Sequence, residues 1–226
     1  MPDKGKRSQN MTEASRRALE GLRDFTTIQW YVIPLLALVF YVYVTEIKKA
    51  RLSGDWGAIV AGAAVFFADF LNESLNGWIL ALSGRSALWT APGPTALRTM
   101  VGWNIEIMFM FSILGIIWYH SLTGREGARL FGLPEGWFFG LAYSAVCVVI
   151  ECVLNAGGQL VWEYPLWGRT VLGVIPIFLF GYLWFFAWAI LAVSRKTMRA
   201  RIVIVTLPLA LAVILDILAA LLGLRY

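Results

Sequence analysis

The sequence predicts an all-α integral membrane protein, a bundle of six transmembrane helices, and three observations predict it. Hydrophobic residues make up 59% of the 226 positions and charged residues only 15%, well below the roughly 25% of a soluble domain. The apolar residues gather into six runs, each near the length of about 20 residues that carries a helix across a bilayer. The runs lack the alternation of a barrel strand, and in lipid a helix is then the remaining way to satisfy every backbone amide.

Residues 1–24 form a polar, basic N-terminal tail, with Lys4, Lys6, Arg7, Arg16, Arg17 and Arg23 set against Asp3, Glu13, Glu20 and Asp24. With no apolar stretch ahead of Phe25, it does not read as a cleaved signal peptide. Its second part, 11–25, reads either as a short amphipathic helix on the membrane surface or as a solvated tail. The apolar runs follow at 25–45, 58–82, 100–120, 137–157, 171–193 and 202–223, so that 25–226 is one transmembrane domain. Pro34, Pro176 and Pro208 interrupt the first, fifth and sixth runs. Cys147 and Cys152 lie in one run on different helix faces and form no disulfide framework.

Charge in the connecting loops orients the bundle. The loops after runs one, three and five hold nine Lys and Arg, the opposite face four. The odd-numbered loops are then cytoplasmic and both chain ends lie outside, although the tail, at net +2, pulls the other way. On the outer side of a eukaryotic membrane, Asn10-Met11-Thr12 would be a glycosylation sequon. The protein is expected in the cell membrane or the endoplasmic reticulum membrane as a multi-pass protein.

A trace of internal duplication runs through the chain. Glu73, Asn76 and Gly77, then Trp89-Thr-Ala-Pro92, then Gly102 recur in order as Glu151, Asn155 and Gly157, Trp162-Glu-Tyr-Pro165 and Gly173. Copies offset by two runs point the same way through the membrane, a parallel pseudo-repeat. The duplication, or chance in so tryptophan-rich a chain, places loops 84–99 and 158–170 on one face.

Ionisable groups inside a bilayer cost about 2.5–3.5 kcal/mol on insertion scales and mark function by default. Five fall at depth: Asp69 and Glu73 in run two, Glu106 in run three, Glu151 in run four and Asp216 in run six. None has a Lys or Arg within the runs to neutralise it. Counting inward at about 1.5 Å per residue, Glu73, Glu106, Glu151 and Asp216 share one level beneath the Trp-x-x-Pro loops, with Asp69 near the midplane. That level suits a single polar pocket; helix-to-helix hydrogen bonding is the structural alternative. Asp69, Glu73 and Asn76 share a helix face, as do Glu151 and Asn155. Asn72, Asn76, Asn104 and Asn155 are near enough to bond the acids. Glu163 reads as interfacial, and Glu46 and Asp55 as ordinary loop acids.

The chemistry available is limited. The sole histidine, His120, falls at the far end of run three, which removes histidine metal sites and Ser-His-Asp catalysis. No phosphate loop, Cys-x-x-Cys or nucleic-acid motif is present, and no cofactor or metal is expected. Asp69-Phe-Leu-Asn72-Glu73 has some look of a Mg²⁺-diphosphate motif but lacks a second acidic cluster and basic partners at depth. A neutral Asp or Glu in apolar surroundings is a Brønsted acid able to protonate an alkene or epoxide. Rings from Trp78, Trp89, Trp103, Tyr143, Trp162, Tyr164, Trp167, Tyr182 and Trp184 would stabilise the resulting cation, or form an interfacial belt. Asn72, Asn76, Asn155, Trp78, Trp103, Trp162 and Tyr164 are the expected substrate contacts.

A basic loop, Trp56-Gly57 and the cluster Asp69-Phe-Leu-Asn72-Glu73 resemble the small integral membrane terpene cyclases of meroterpenoid and indole-terpenoid pathways. That resemblance covers mainly runs one to three. It implies metal-free cyclisation of a prenyl chain by carboxyl protonation, with Glu73 matching the acid of the second span and Asp216 that of the last. The family usually has seven spans and an Asn-x-x-Trp-Glu motif, whereas Asn72 stands here at the tryptophan position. Residues 151–176 are more similar to membrane carotenoid hydratases and lycopene cyclases. Together these imply acid–base chemistry on an isoprenoid, with the bilayer and a lipophilic small molecule as partners. A proton- or cation-coupled transporter and a non-catalytic membrane subunit are the alternative readings. The substrate and the oligomeric state are not readable from the chain.

Overall fold

A computed structural model describes residues 10–125 and 127–226; the charges at Asp3, Lys4, Lys6 and Arg7 lie outside the described residues. Helix α1 is Glu13–Glu20. The long helices are α2, Val32–Ser53, α3, Gly57–Ser83, α4, Ile105–His120, α5, Glu135–Ala156, α6, Val171–Val193, and α7, Met198–Leu221. Two small antiparallel ribbons join them. Strand β1, Trp89–Thr90, pairs with β4, Val161–Trp162, and β2, Arg129–Leu130, pairs with β3, Leu133–Pro134.

Four helices, α3, α5, α6 and α7, are long and apolar enough to cross a membrane, and the other two of the six expected runs differ from them. Helix α4 has 16 residues, about 24 Å at 1.5 Å per residue, because the first part of its apolar run, 100–104, is spent on a turn ending at the N-cap Asn104, which accepts from the Ile107 amide. Helix α2 carries Glu46, Lys48, Lys49 and Arg51 in its last turns.

Helix α3 is the centre of the bundle and packs on α4, α6 and α7. Small side chains make this possible: Ala61, Ala64 and Ala68 are wholly buried, and a Cβ on Gly115 of α4 would stand 2.2 Å from the Ala61 carbonyl oxygen. Close backbone approach at small residues is how apolar helices gain packing where lipid is as greasy as leucine.

Helix α6 is interrupted. Pro176 has no amide to donate and ends the first α-helical piece, Val171–Pro176. Ile177–Leu183 continue as a wider π-helical turn before α-geometry resumes at Trp184. Such turns loosen the backbone ladder, and the Phe180 carbonyl takes a hydrogen bond from Asn72 Nδ2 at 2.8 Å.

The described part of the N-terminal tail carries a surface helix rather than solvated chain. Thr12 caps α1, buried Ala18 and Leu22 anchor it, and the Thr12 hydroxyl donates to Glu163 at 2.5 Å. The Arg23 amide donates to the Arg98 carbonyl at 2.7 Å. The tail, loop 84–104 and loop 157–170 therefore meet at one end of the bundle. There β1 and β4 set Trp89 directly opposite Trp162, the two tryptophans of the Trp-x-x-Pro segments.

At the other end, Glu46 departs from its reading as a loop acid. It is buried, with Lys49 Nζ at 2.7 Å and His120 Nε2 at 2.9 Å from its carboxylate. Asp55, also read as a loop acid, accepts from the Tyr119 hydroxyl at 2.8 Å.

Candidate functional site

Asp69 and Glu73 stand one turn apart on α3, an i, i+4 spacing that puts both on one face. That face looks toward α4, α5 and α6 beneath the two tryptophan loops, and encloses a cavity of about 100 Å³. Glu151 reaches the cavity from α5 and Tyr182 from the π-helical turn of α6, while Trp89, Gly102 and Trp167 descend from the loops. Phe111 and Phe185 close much of the remaining wall.

The acids are held by neutral donors. Trp103 Nε1 donates to Asp69 Oδ2 at 2.8 Å, and Trp89 Nε1 donates to Glu73 Oε1 at 2.8 Å. Both acids are 3% exposed, and Glu73 Oε2 is buried without a hydrogen-bond partner. The Tyr182 hydroxyl lies beside Glu151. Trp89 stacks on Trp167 with ring centroids 5.4 Å apart. Among the described residues no Lys, Arg or His lines the cavity. Its three carboxyls are also not grouped as a metal site: among the described residues no three His, Cys, Asp or Glu side chains are so placed.

The expected set of four acids at one level divides. Glu73 and Glu151 meet, joined by Asp69 rather than by Glu106 and Asp216. Glu106 opens α4 and turns toward the loop and the tail, accepting from the Tyr31 hydroxyl at 2.5 Å, the Thr95 hydroxyl at 2.5 Å and the Ala96 amide at 2.9 Å. Asp216 faces the chain terminus and accepts from the Tyr226 hydroxyl at 2.8 Å. Burial, together with Asp216, pushes the Tyr226 hydroxyl above its ordinary value.

The expected substrate contacts divide too. Asn72 lines the cavity. Asn76 is fully buried and serves the loop, accepting from the Leu88 amide at 2.8 Å and the Trp89 amide at 3.3 Å and donating to the Trp89 carbonyl at 2.8 Å. Asn155 donates to the Leu160 carbonyl at 3.0 Å, a similar tie in the second loop. Trp103 lies behind Asp69 and stacks on Phe70. Trp78 donates to the Leu215 carbonyl on α7, away from the cavity. Trp162 is the strand partner of Trp89, and Tyr164 ties the loops together through the Ser86 carbonyl at 2.9 Å. Trp89, Trp167 and Tyr182 were legible only as three aromatic rings among nine; only Trp89 had a signal, its Trp-x-x-Pro segment, and the places of Trp167 and Tyr182 had none.

Apolar helices of membrane-crossing length around a set of buried carboxyls define an integral multi-pass membrane protein. The chain belongs to an uncharacterized membrane protein family, whose model matches residues 12–221. An uncharacterized protein of Archaeoglobus fulgidus is 41% identical over 175 residues, 77% of this chain and 80% of that protein. No solved structure matches. The resemblance to membrane terpene cyclases and carotenoid hydratases is not carried by these relatives.

Proposed function

We propose that this protein is a membrane-embedded acid–base enzyme that isomerises or cyclises a lipophilic, isoprenoid-type substrate without a metal. The observation that carries the reading is the meeting of Asp69, Glu73 and Glu151 in one aromatic-walled cavity with no basic side chain on its lining. An indole N–H donates and cannot accept, so Glu73 Oε1 is an acceptor toward Trp89 and a neutral Glu73 carries its proton on the free Oε2. That proton adds to an alkene or epoxide of the substrate. The faces of Trp89, Trp167 and Phe111 stabilise the cation, and Glu151, beside Tyr182, removes a proton from a neighbouring carbon. One proton enters and one leaves, as an isomerisation requires. Glu73, Glu151 and Asp69 carry this chemistry; Glu106 and Asp216 tie the structure together.

In this reading the six long helices all cross the bilayer. Residues 25–31, a short turn and a connection, lead into α2, the buried loop ahead of α4 supplies the missing depth, and residues 1–24 are the polar tail outside the transmembrane domain.

The test reconstitutes the protein in liposomes in deuterated water with a panel of polyprenyl alkenes and epoxides, and follows products by mass spectrometry. The expected result from the wild type is an isomer carrying one carbon-bound deuterium from an alkene, or a cyclised or rearranged alcohol from an epoxide, whose oxygen takes the exchangeable deuteron; both are lost in Glu73→Gln and Glu151→Gln and kept in Asp216→Asn. Normal turnover by both glutamine variants would sink the proposal. Proton flux across the liposome that depends on the same glutamates, with no new product, would favour coupled transport instead.

A further inference from the structure

At the end of the bundle that holds Glu46, strands β2 and β3 form a hairpin between α4 and α5. Leu130 pairs with Leu133, so Phe131 and Gly132 are the two residues of the turn. Both have positive φ, 50° and 83°, as a two-residue hairpin turn of the I′ kind requires. Asn, Asp and Gly suit the first of these positions, and a bulky side chain there is strained. Phe131 is moreover 92% exposed. The chain thus accepts backbone strain to hold an aromatic ring outward, and its contact with Phe138, at a centroid distance of 5.6 Å, leaves most of that ring uncovered. Strain of this kind persists where it serves something outside the local packing.

The Phe138 contact shows which way the ring looks. Phe138 lies one turn into α5, a helix long and apolar enough to cross a membrane. Ala142, Val146, Val149 and Val153 follow it on the same helix face, and all four are exposed. This is the outward face of a membrane-crossing helix, and Phe131 stands at its head. The 22 residues of α5 cover about 33 Å at 1.5 Å per residue, slightly more than a hydrocarbon core of about 30 Å. The level of Phe138 is therefore the boundary between acyl chains and headgroups. Leu133 and Trp137, also exposed, widen the patch around the ring. The backbone suits that depth: the Gly132 carbonyl accepts from Arg129 Nη1 at 3.0 Å, and Pro134 has no amide to leave unpaired.

We infer that the hairpin 129–134 is an interfacial anchor: Phe131 and Leu133 enter the acyl boundary of the bilayer, continuing the outward face of α5, and the partner this surface fits is a lipid surface. The anchor is tied to two helices. The Glu135 carboxylate accepts from the Thr123 amide at 2.9 Å and the Thr123 hydroxyl at 3.0 Å, and Trp118 Nε1 donates to the Gly136 carbonyl at 3.2 Å. The depth of the hairpin thus sets the depth at which α4 ends and α5 begins. Nothing in this placement depends on the chemistry of the carboxyl cavity.

The experiment labels the wild-type protein in phosphatidylcholine proteoliposomes with two carbene probes, and adducts are mapped by mass spectrometry. One probe is a phosphatidylcholine with a diazirine on the upper carbons of one acyl chain; the other is a water-soluble diazirine. Phe131 and Leu133 should take the lipid probe, as Trp137 and Ala142 of α5 do, while Gly124 and Arg125 in the preceding loop should take the water-soluble one. Phe131→Asn installs a residue that the turn prefers, so the hairpin forms while its ring is gone. Lipid adducts on Leu133 should then fall about tenfold, the partitioning worth of one phenylalanine, and Phe131→Leu should keep most of them.

Phe131 labelled from water and not from lipid, or Leu133 labelling unchanged in Phe131→Asn, would overturn the anchor. So would loss of both labels at Phe131 together with a cross-link from Phe131 to a second copy of the chain, which would make the patch a protein interface.

Discussion

Glu46 and Glu73 are both acids buried inside helices, at 7% and 3% exposure, yet they keep opposite company. Glu46 is gripped by Lys49 and His120 at the end of the bundle where α2 meets α4. Glu73 has one indole donor, one free oxygen and a cavity in front of it. A buried carboxylate with a lysine ammonium on one oxygen and an imidazole on the other has its charge answered and acts as a strut. A buried carboxyl answered only by a neutral donor keeps an oxygen available to a guest. Depth alone does not separate a tie from a reagent; the partners do.

The largest expected effect tests that separation directly. Glu73→Gln and Glu151→Gln should each lower turnover by roughly 10²–10⁴, the usual share of general acid–base catalysis, with the thermal midpoint almost unmoved. Glu46→Gln should leave turnover intact, and a comparable loss there would break the comparison.

Next comes the scaffold of the cavity. Asn76→Ala strands the Leu88 and Trp89 amides at about 1–3 kcal/mol for each unmade donor. It should lower the unfolding midpoint in detergent and open loop 84–104 to proteolysis.

Glu46→Gln itself should cost about 1 kcal/mol of stability, since Lys49 and His120 are half-exposed and water screens their side of the pairing. Chemical denaturation would read this out.

The smallest effect concerns the Asp216–Tyr226 contact. Because the folded Tyr226 hydroxyl lies above its ordinary value, its contribution is fully present below the free tyrosine value of about 10. It is lost as pH rises through the folded value. Tyr226→Phe should therefore lower the unfolding midpoint in detergent slightly at neutral pH, by the worth of one hydrogen bond, about 1 kcal/mol, and leave the strongly alkaline midpoint unchanged.

Depth along a helix is readable by counting residues, and rotation about its axis is not. That is why Glu73 and Glu151 were expected together with Glu106 and Asp216, which face elsewhere. Rotation was recoverable only within one helix, where the four-residue spacing of Asp69 and Glu73 places them together whatever the neighbours do. Loop pairing was half legible. The two Trp-x-x-Pro segments pointed to one face, but the register that sets Trp89 against Trp162 depends on contacts between distant parts of the chain. Tyr182 was the hardest case, since its aim depends on a backbone turn that hydrophobic periodicity does not reveal. The apolar run at 100–120 misled for a related reason: hydropathy cannot tell a helix from a buried turn such as that ending at Asn104.

The wide turn at Ile177–Leu183 makes α6 a swivel. An α-helix advances about 100° per residue, so removing a single residue there and restoring ordinary winding would rotate Val171–Pro176 by roughly that angle against Trp184–Val193. The two pieces would then present different side chains to the same neighbours with no change in composition. The wall of the cavity can therefore be re-aimed by chain length alone, and a one-residue deletion in this turn is a larger change to the site than most substitutions in it.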